Sequence, residues 1–234
     1  MKRLIYSVLA VATMAAFSFN AVAQKVKFAG TITYSVSFSG KTDPAKHVPH
    51  TYSEDVWGNM TKRTQNNGGI GICTITDGDS AKVTQLFDTP FGKVGISNKM
   101  DFTESEQKIK KEVTPQPDKD KTICGYACKC YQITITDLED DDTQDILLWT
   151  TTEIGENENV NSLSLLTKGL SGYVLSMVIE SPEDEITQTV EATQIKKTKI
   201  KSVDFVVPDS YKMMSEDEFK EFVQTNFGGS GEEE

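Results

Sequence analysis

From Phe28 to Phe38 apolar and polar positions alternate. Phe28, Gly30, Ile32, Tyr34, Val36 and Phe38 share one parity, and Thr31, Thr33, Ser35 and Ser37 the other. Period 2 with β-branched and aromatic residues predicts a strand with one wetted face. Such strands belong to antiparallel sheets. A polar loop with Pro44 and Pro49 follows. Shorter β-type runs come next at Tyr52–Trp57, Gly69–Thr76, Ser80–Phe87 and Phe91–Ile96, the first closed by Gly58-Asn59. Asp77-Gly78 between two of them predicts a type I′ hairpin, whose central positions need φ > 0. Met100 to Val113, rich in Glu and Lys, reads as a short helix, and Thr114 to Lys121 as a loop. Alternation resumes from Ala127 to Ile135 and again in Ile146–Thr152. Asn157–Gly172 is a loop carrying Leu163, Leu165, Leu166 and Leu170. Tyr173–Glu180 and Ile186–Lys197 pair around Ser181-Pro182-Glu183-Asp184, and Val203–Val207 is a last short strand before Pro208.

The period then changes. Ser215 and Glu218 have capping-box spacing, and Phe219, Phe222 and Val223 mark one apolar helical face. This helix is expected to cover one end or the concave face of the sheet. The chain therefore reads as mainly β, with roughly nine or ten strands and one or two helices.

The first residues stand apart. Lys2 and Arg3 precede an apolar run from Leu4 to Phe17, and Ala21-Val22-Ala23 follows. This order is that of a secretory signal peptide, and the run is shorter than a spanning helix requires. The expected division is a signal peptide over 1–23, one β domain over 24–228 and a flexible acidic tail over 229–234. The net charge is −11, and losing Lys2 and Arg3 makes the chain more acidic. That excludes a nucleic-acid binder, and no later segment is long enough to span a membrane.

Candidate chemistry is sparse. Cys73, Cys124, Cys128 and Cys130 are disulfide candidates in an exported chain. Cys128 and Cys130 share a strand face and are poorly oriented to bridge each other, so a bridge is expected to involve Cys73. Free buried thiols remain a second reading. A tetrahedral thiolate metal site, the third, would need Cys73 as its fourth ligand. His47 and His50 lie in a proline-bearing loop without the helical spacing or the glutamate of a metalloprotease. Glu139-Asp140-Asp141-Asp142 lacks the alternate oxygens and the glycine of a calcium loop. Gly68-Gly69-Ile70-Gly71 has no P-loop Lys after it, and no Gly-x-Ser-x-Gly elbow occurs. No catalytic residue, metal site or cofactor is expected.

Four segments carry a resemblance by their order: Gly30-Thr31-Ile32-Thr33-Tyr34, Lys121 to Lys129 (KTICGYACK), Gly169-Leu170-Ser171-Gly172-Tyr173, and Val207-Pro208-Asp209-Ser210-Tyr211-Lys212. Together they resemble an exported gram-negative envelope family, the domain of unknown function numbered 4412, over about Gly30 to Phe222. In that family the mid-chain motif is followed by a further Lys. Here Cys130 stands in its place, and Cys124 is also additional. The family is similar to the LolA/LolB lipoprotein carriers. The resemblance implies an open, curved antiparallel sheet, a half-barrel, with one or two helices covering its concave side. It also implies a periplasmic or outer-membrane-peripheral location and a concave surface that holds acyl chains.

The first functional expectation is thus a non-enzymatic envelope protein binding a lipid, a lipoprotein acyl chain or another apolar ligand. The candidate lining residues are Ile32, Tyr34, Val36, Phe38, Trp57, Trp149, Tyr173, Leu175 and Met177. The alternative is an envelope structural or protein-interaction module whose core is filled by its own side chains.

Overall fold

A computed structural model describes residues 26–40, 50–100, 108–139, 142–155, 164–181 and 185–227. Its strands are β1 (Ala29–Gly40), β2 (Thr51–Trp57), β3 (Met60–Asn67), β4 (Ile70–Asp77), β5 (Lys82–Thr89), β6 (Gly92–Lys99), β7 (Ile109–Pro115), β8 (Lys121–Ile123), β9 (Tyr126–Asp137), β10 (Thr143–Thr151), β11 (Tyr173–Ser181), β12 (Ile186–Lys197) and β13 (Lys212–Met214). Helix α1 is Ser164–Thr167 and helix α2 is Glu216–Phe227.

The strands form one open sheet in the order β13-β6-β5-β4-β3-β2-β1-β12-β11-β10-β9-β7, with β8 hairpinned onto β9. Neighbours are antiparallel except for the parallel pair β13–β6. Sequence reading and structure agree on this mainly-β, single-sheet architecture.

Register assigns each side chain to a face, because cross-strand partners lie on the same side. Ile32, Tyr34 and Val36 define the inner face. Following the pairs, this face carries Tyr52, Glu54 and Val56 of β2, Thr61 and Arg63 of β3, and Thr74 and Thr76 of β4. It continues through Val83, Gln85 and Phe87 of β5 to Val94 and Ile96 of β6. In the other direction it carries Ala192 and Val190, then Met177, Leu148 and Ile146, then Tyr131 and Ile133.

The inner side of β1 and β9–β12 is the main core, where Ile32, Ile133, Leu148 and Leu175 are fully buried. α1 lies at its β7 edge, where the inward Lys111 Nζ donates to the carbonyls of Leu166 (3.2 Å) and Lys168 (2.6 Å). The outer side of the same strands is covered by β8 and the 3-10 turn Pro117–Lys119. There the Trp149 indole donates to Lys119 O at 2.8 Å. Lys121 sits 4.2 Å above the Trp149 ring and is ion-paired with Glu191.

The outer side of β2–β6 carries a second, smaller core. Ile75 and Leu86 pack with Phe205, Trp57, Met60, Cys73 and Tyr211. Phe205 belongs to the 3-10 turn Ser202–Phe205. The chain then rounds the β6 edge as β13 and reaches the inner face as α2, where Phe219 stacks on Phe87 at 4.9 Å. The capping box forms as expected. Ser215 N–H donates to Glu218 Oε2 (2.7 Å) and Glu218 N–H to Ser215 Oγ (3.3 Å).

Several local expectations are corrected. Residues 109–113 are strand, not helix; the rest of that segment, 101–107, lies outside the described residues. β7 is an edge strand, and its Lys and Glu residues are what an exposed edge uses against further pairing. Asp77-Gly78 opens a longer loop in which Asp77 Oδ1 accepts the N–H groups of Asp79 and Ser80. The two-residue turns with left-handed backbone at both positions are Gly68-Gly69 and Cys124-Gly125. Val203–Val207 is not a strand: Phe205 points into the small core while Val203 and Val206 are exposed. β3, β8 and β13 were not legible as strands. β3 reads MTKRTQNN and has no apolar alternation to signal it.

Candidate functional site on the inner face

The middle of the inner face is polar, and its groups are linked. On adjacent strands Glu54 pairs with Ile32 and with Arg63, and Tyr34 with Tyr52. The Glu54 carboxylate is 12% exposed and lies 3.7 Å from the Arg63 guanidinium, which is 29% exposed. Tyr173, on β11, reaches over and donates its hydroxyl to Glu54 Oε2 at 2.5 Å. Tyr34 donates its hydroxyl to Val174 O at 2.9 Å. Tyr34 and Tyr52 stack with centroids 4.9 Å apart. Arg63 lies 5.2 Å over the Tyr52 ring.

Burial dominates the electrostatics. It pushes the Tyr34 and Tyr173 hydroxyls well above the usual phenol range, with the Glu54 charge adding to it. Burial also raises the Glu54 carboxyl, and the Tyr173 hydroxyl and Arg63 oppose that rise. Enclosing a carboxylate is costly unless it is paired and hydrogen-bonded, and Tyr173 and Arg63 supply both. One row away, Thr76 is fully buried and its hydroxyl has no hydrogen-bond partner. A buried unsatisfied hydroxyl costs about 1–3 kcal/mol.

Beyond this polar centre the inner face turns apolar again at Ile72, Phe87, Val94 and Ile96. α2 covers that edge. Phe219 stacks on Phe87, Phe222 lies 6.4 Å from Phe219, and Phe227 meets Phe91 of the β5–β6 turn at 5.2 Å. No residue of α2 is buried. Phe219 and Phe222 are half-buried and Val223 is 39% exposed, so Val223 is not part of the packed face.

The nine lining candidates divide between faces. Ile32, Tyr34, Val36, Tyr173, Leu175 and Met177 are buried in the main core, with Phe38 packed against it. Trp149 lies under the β8 hairpin on the outer face, and Trp57 belongs to the small outer core. Treating these two as inward-facing is corrected by register. Both faces of β10 are buried, so burial there does not mark the inner side. Sequence reasoning missed Glu54 and Arg63. Arg63 sits on the polar β3, and nothing in the local pattern distinguishes it from a wetted position.

All four thiols are free. Cys73 belongs to the small core, and β4 lies seven strand steps from β9, which carries Cys128 and Cys130. Burial raises the thiols of Cys124 and Cys130, and that of Cys128 to about 11. His50 is exposed; His47, Asp140 and Asp141 lie outside the described residues. Among the described residues no group of three or more His, Cys, Asp or Glu is placed to hold a metal, and no helix is long and apolar enough to cross a membrane.

A separate cleft of about 750 Å³ opens beside β8, among Lys121, Cys128, Lys129, Thr150, Glu153 and Ser171. Its polar groups largely satisfy one another. Glu153 accepts the Ala127 N–H at 3.2 Å, Thr150 donates to Ser171 O at 3.1 Å, and Lys121 is held by Glu191.

No family model matches the chain, so the resemblance to the 4412 family has no such match behind it. No curated protein matches either. Among solved structures, the chain is similar to MucB, with a TM-score of 0.32 and 8% identity over 78% of this chain; it spans 57% of MucB. It is also similar to a DUF1329 family protein from Desulfovibrio piger, with a TM-score of 0.25 and 9% identity, over 79% of this chain and 92% of that one. Likenesses this distant carry no functional argument.

Proposed function

We propose that this protein is a non-enzymatic binding protein of the cell envelope. It takes a lipid, an acyl chain or a similar apolar ligand on the inner face of its open sheet, in the half formed by β2–β6. The observation that carries this reading is the placement of α2. The helix lies across the apolar edge of the inner face on a stack of phenylalanines, yet buries none of its own residues. A helix held by one half-buried stripe separates from its sheet at low cost, because segments with few buried contacts open locally. An apolar chain inserted between Phe87 and Phe219 would gain the burial that the helix alone does not complete, at about 25 cal/mol per Å².

The packed main core favours the second reading, an interaction module with no ligand. Residues such as Ile32, Leu148 and Leu175 are fully enclosed by neighbouring side chains. In the present reading that core is the scaffold, and the site lies on the other half of the sheet. Native mass spectrometry of protein purified from the cell envelope, followed by lipid extraction, separates the two. A co-purifying lipid of defined mass supports binding, and a clean apo mass across several gentle preparations favours the module.

A further inference from the structure

We propose that Arg63 anchors the anionic end of an amphiphile whose alkyl chain runs along the inner face toward Phe87 and α2. This rests on the binding function proposed above. It names the ligand class as a single alkyl chain ending in a carboxylate or a phosphate.

Charge placement comes first. The sequence carries a net charge of −11, yet among the inner-face positions of β1–β6 Arg63 is the one cation. Lys111, also inward, lies at the opposite edge and is held by the carbonyls at the end of α1. An apolar ligand with an anionic end thus meets a single complementary charge on this half of the face.

The guanidinium also has donors to give. It carries five N–H groups in a planar fork. Glu54 lies at 3.7 Å, long for a hydrogen bond, and Tyr52 offers the guanidinium its ring face at 5.2 Å. Arg63 has no further partner among the described residues, and it is 29% exposed. The fork matches carboxylate and phosphate oxygens in a bidentate arrangement. Tyr173 fixes Glu54 from behind at 2.5 Å, so Glu54 and Tyr52 hold the guanidinium in place without consuming it. The buried, unpartnered hydroxyl of Thr76, one row away on the same face, is a second polar group that the protein leaves unsatisfied.

The distance to the apolar edge is short. β3 and β5 are two strand steps apart, about 10 Å at ~4.8 Å per step, which an alkyl chain of roughly ten carbons spans. Along that path the inner face offers Ile72, Phe87 and Val94, with Phe219 and Phe222 above.

Fluorescence titration of the exported chain with 11-(dansylamino)undecanoic acid and with its methyl ester tests this. The wild type is expected to bind the acid at least tenfold more tightly than the ester. Arg63→Gln should abolish that preference while keeping ester affinity, and Arg63→Lys should restore part of it. Lys82→Gln, an exposed cation on the outer face, should change neither. Competition by dodecanoate and by dodecyl phosphate sorts a fatty acid from a phospholipid source, and failure of both to compete overturns the inference. Equal wild-type affinity for acid and ester, or an unchanged preference in Arg63→Gln, also overturns it and leaves the binding function standing. If neither probe binds, the binding function itself falls.

Discussion

The two halves of the sheet obey the same alternation rule and finish differently. In β1 and β9–β12, buried side chains lie on both faces: α1 lies at the inner edge, and β8 clamps Trp149 on the outer side. In β2–β6 the outer face is closed by Phe205 and its neighbours. The inner face runs from a partly exposed ion pair to a phenylalanine stack under a helix with no buried residue. The first half has a complete core of its own. The second half has an amphipathic surface under a light cover. The contrast indicates which part of the molecule is scaffold and which part can open.

Substitutions sharpen this contrast. Leu148→Ala, in the complete half, should lower stability by about 2–5 kcal/mol, read as a large fall in Tm. Phe222→Ala, in the cover, should cost only about 0.8–1.5 kcal/mol, because half-burial recovers about half of the ~1.5–3 kcal/mol of a fully buried side chain. It should weaken binding of a dansylated fatty acid at the same time. A Phe222→Ala melt as depressed as that of Leu148→Ala would mean that α2 is part of a continuous core, and the division into halves would fail.

A smaller effect concerns Glu54. Its carboxyl is raised above the usual value of 4.5, chiefly by burial. The folded state then binds this proton more tightly than the unfolded state, so the stabilisation appears as pH falls through the raised value and is complete below about 4.5. Glu54→Gln mimics the protonated form at every pH. The Tm of the wild type relative to Glu54→Gln should therefore rise as pH is lowered from 7 toward 4.5. A constant difference across that range would show that Glu54 titrates as an exposed carboxylate and that the Tyr173 contact does not enclose it.

Much of the fold was legible in the sequence, and the reasons are local. β1 alternates over its full buried length, β12 has the expected bounds, and the Ser215/Glu218 box marks the start of α2. What failed depends on distant partners. β3 is polar because its inner side faces an ion pair and its outer side supports the Ser202–Phe205 turn, where Lys62 Nζ donates to Asp204 O at 2.8 Å. β13 is three residues long and exists by pairing with β6. Trp57 and Trp149 read as inward aromatics because their covers, the 198–211 segment and the β8 hairpin, are remote in sequence or set by register. The candidate site was the least legible part. Arg63 becomes distinctive only when β2, β3 and β11 bring Glu54, Tyr52 and Tyr173 to it.

If α2 is a removable cover over the inner face of β2–β6, it opens in the free protein and is held down when a ligand lies beneath it. Hydrogen–deuterium exchange of the purified protein, with and without a long-chain fatty acid, reads this opening. Fast exchange across 216–227 in the free protein, slow exchange in β11 under both conditions, and marked slowing of 216–227 on ligand addition are expected. Exchange across 216–227 as slow as in β11, and unchanged by the fatty acid, would contradict a removable cover.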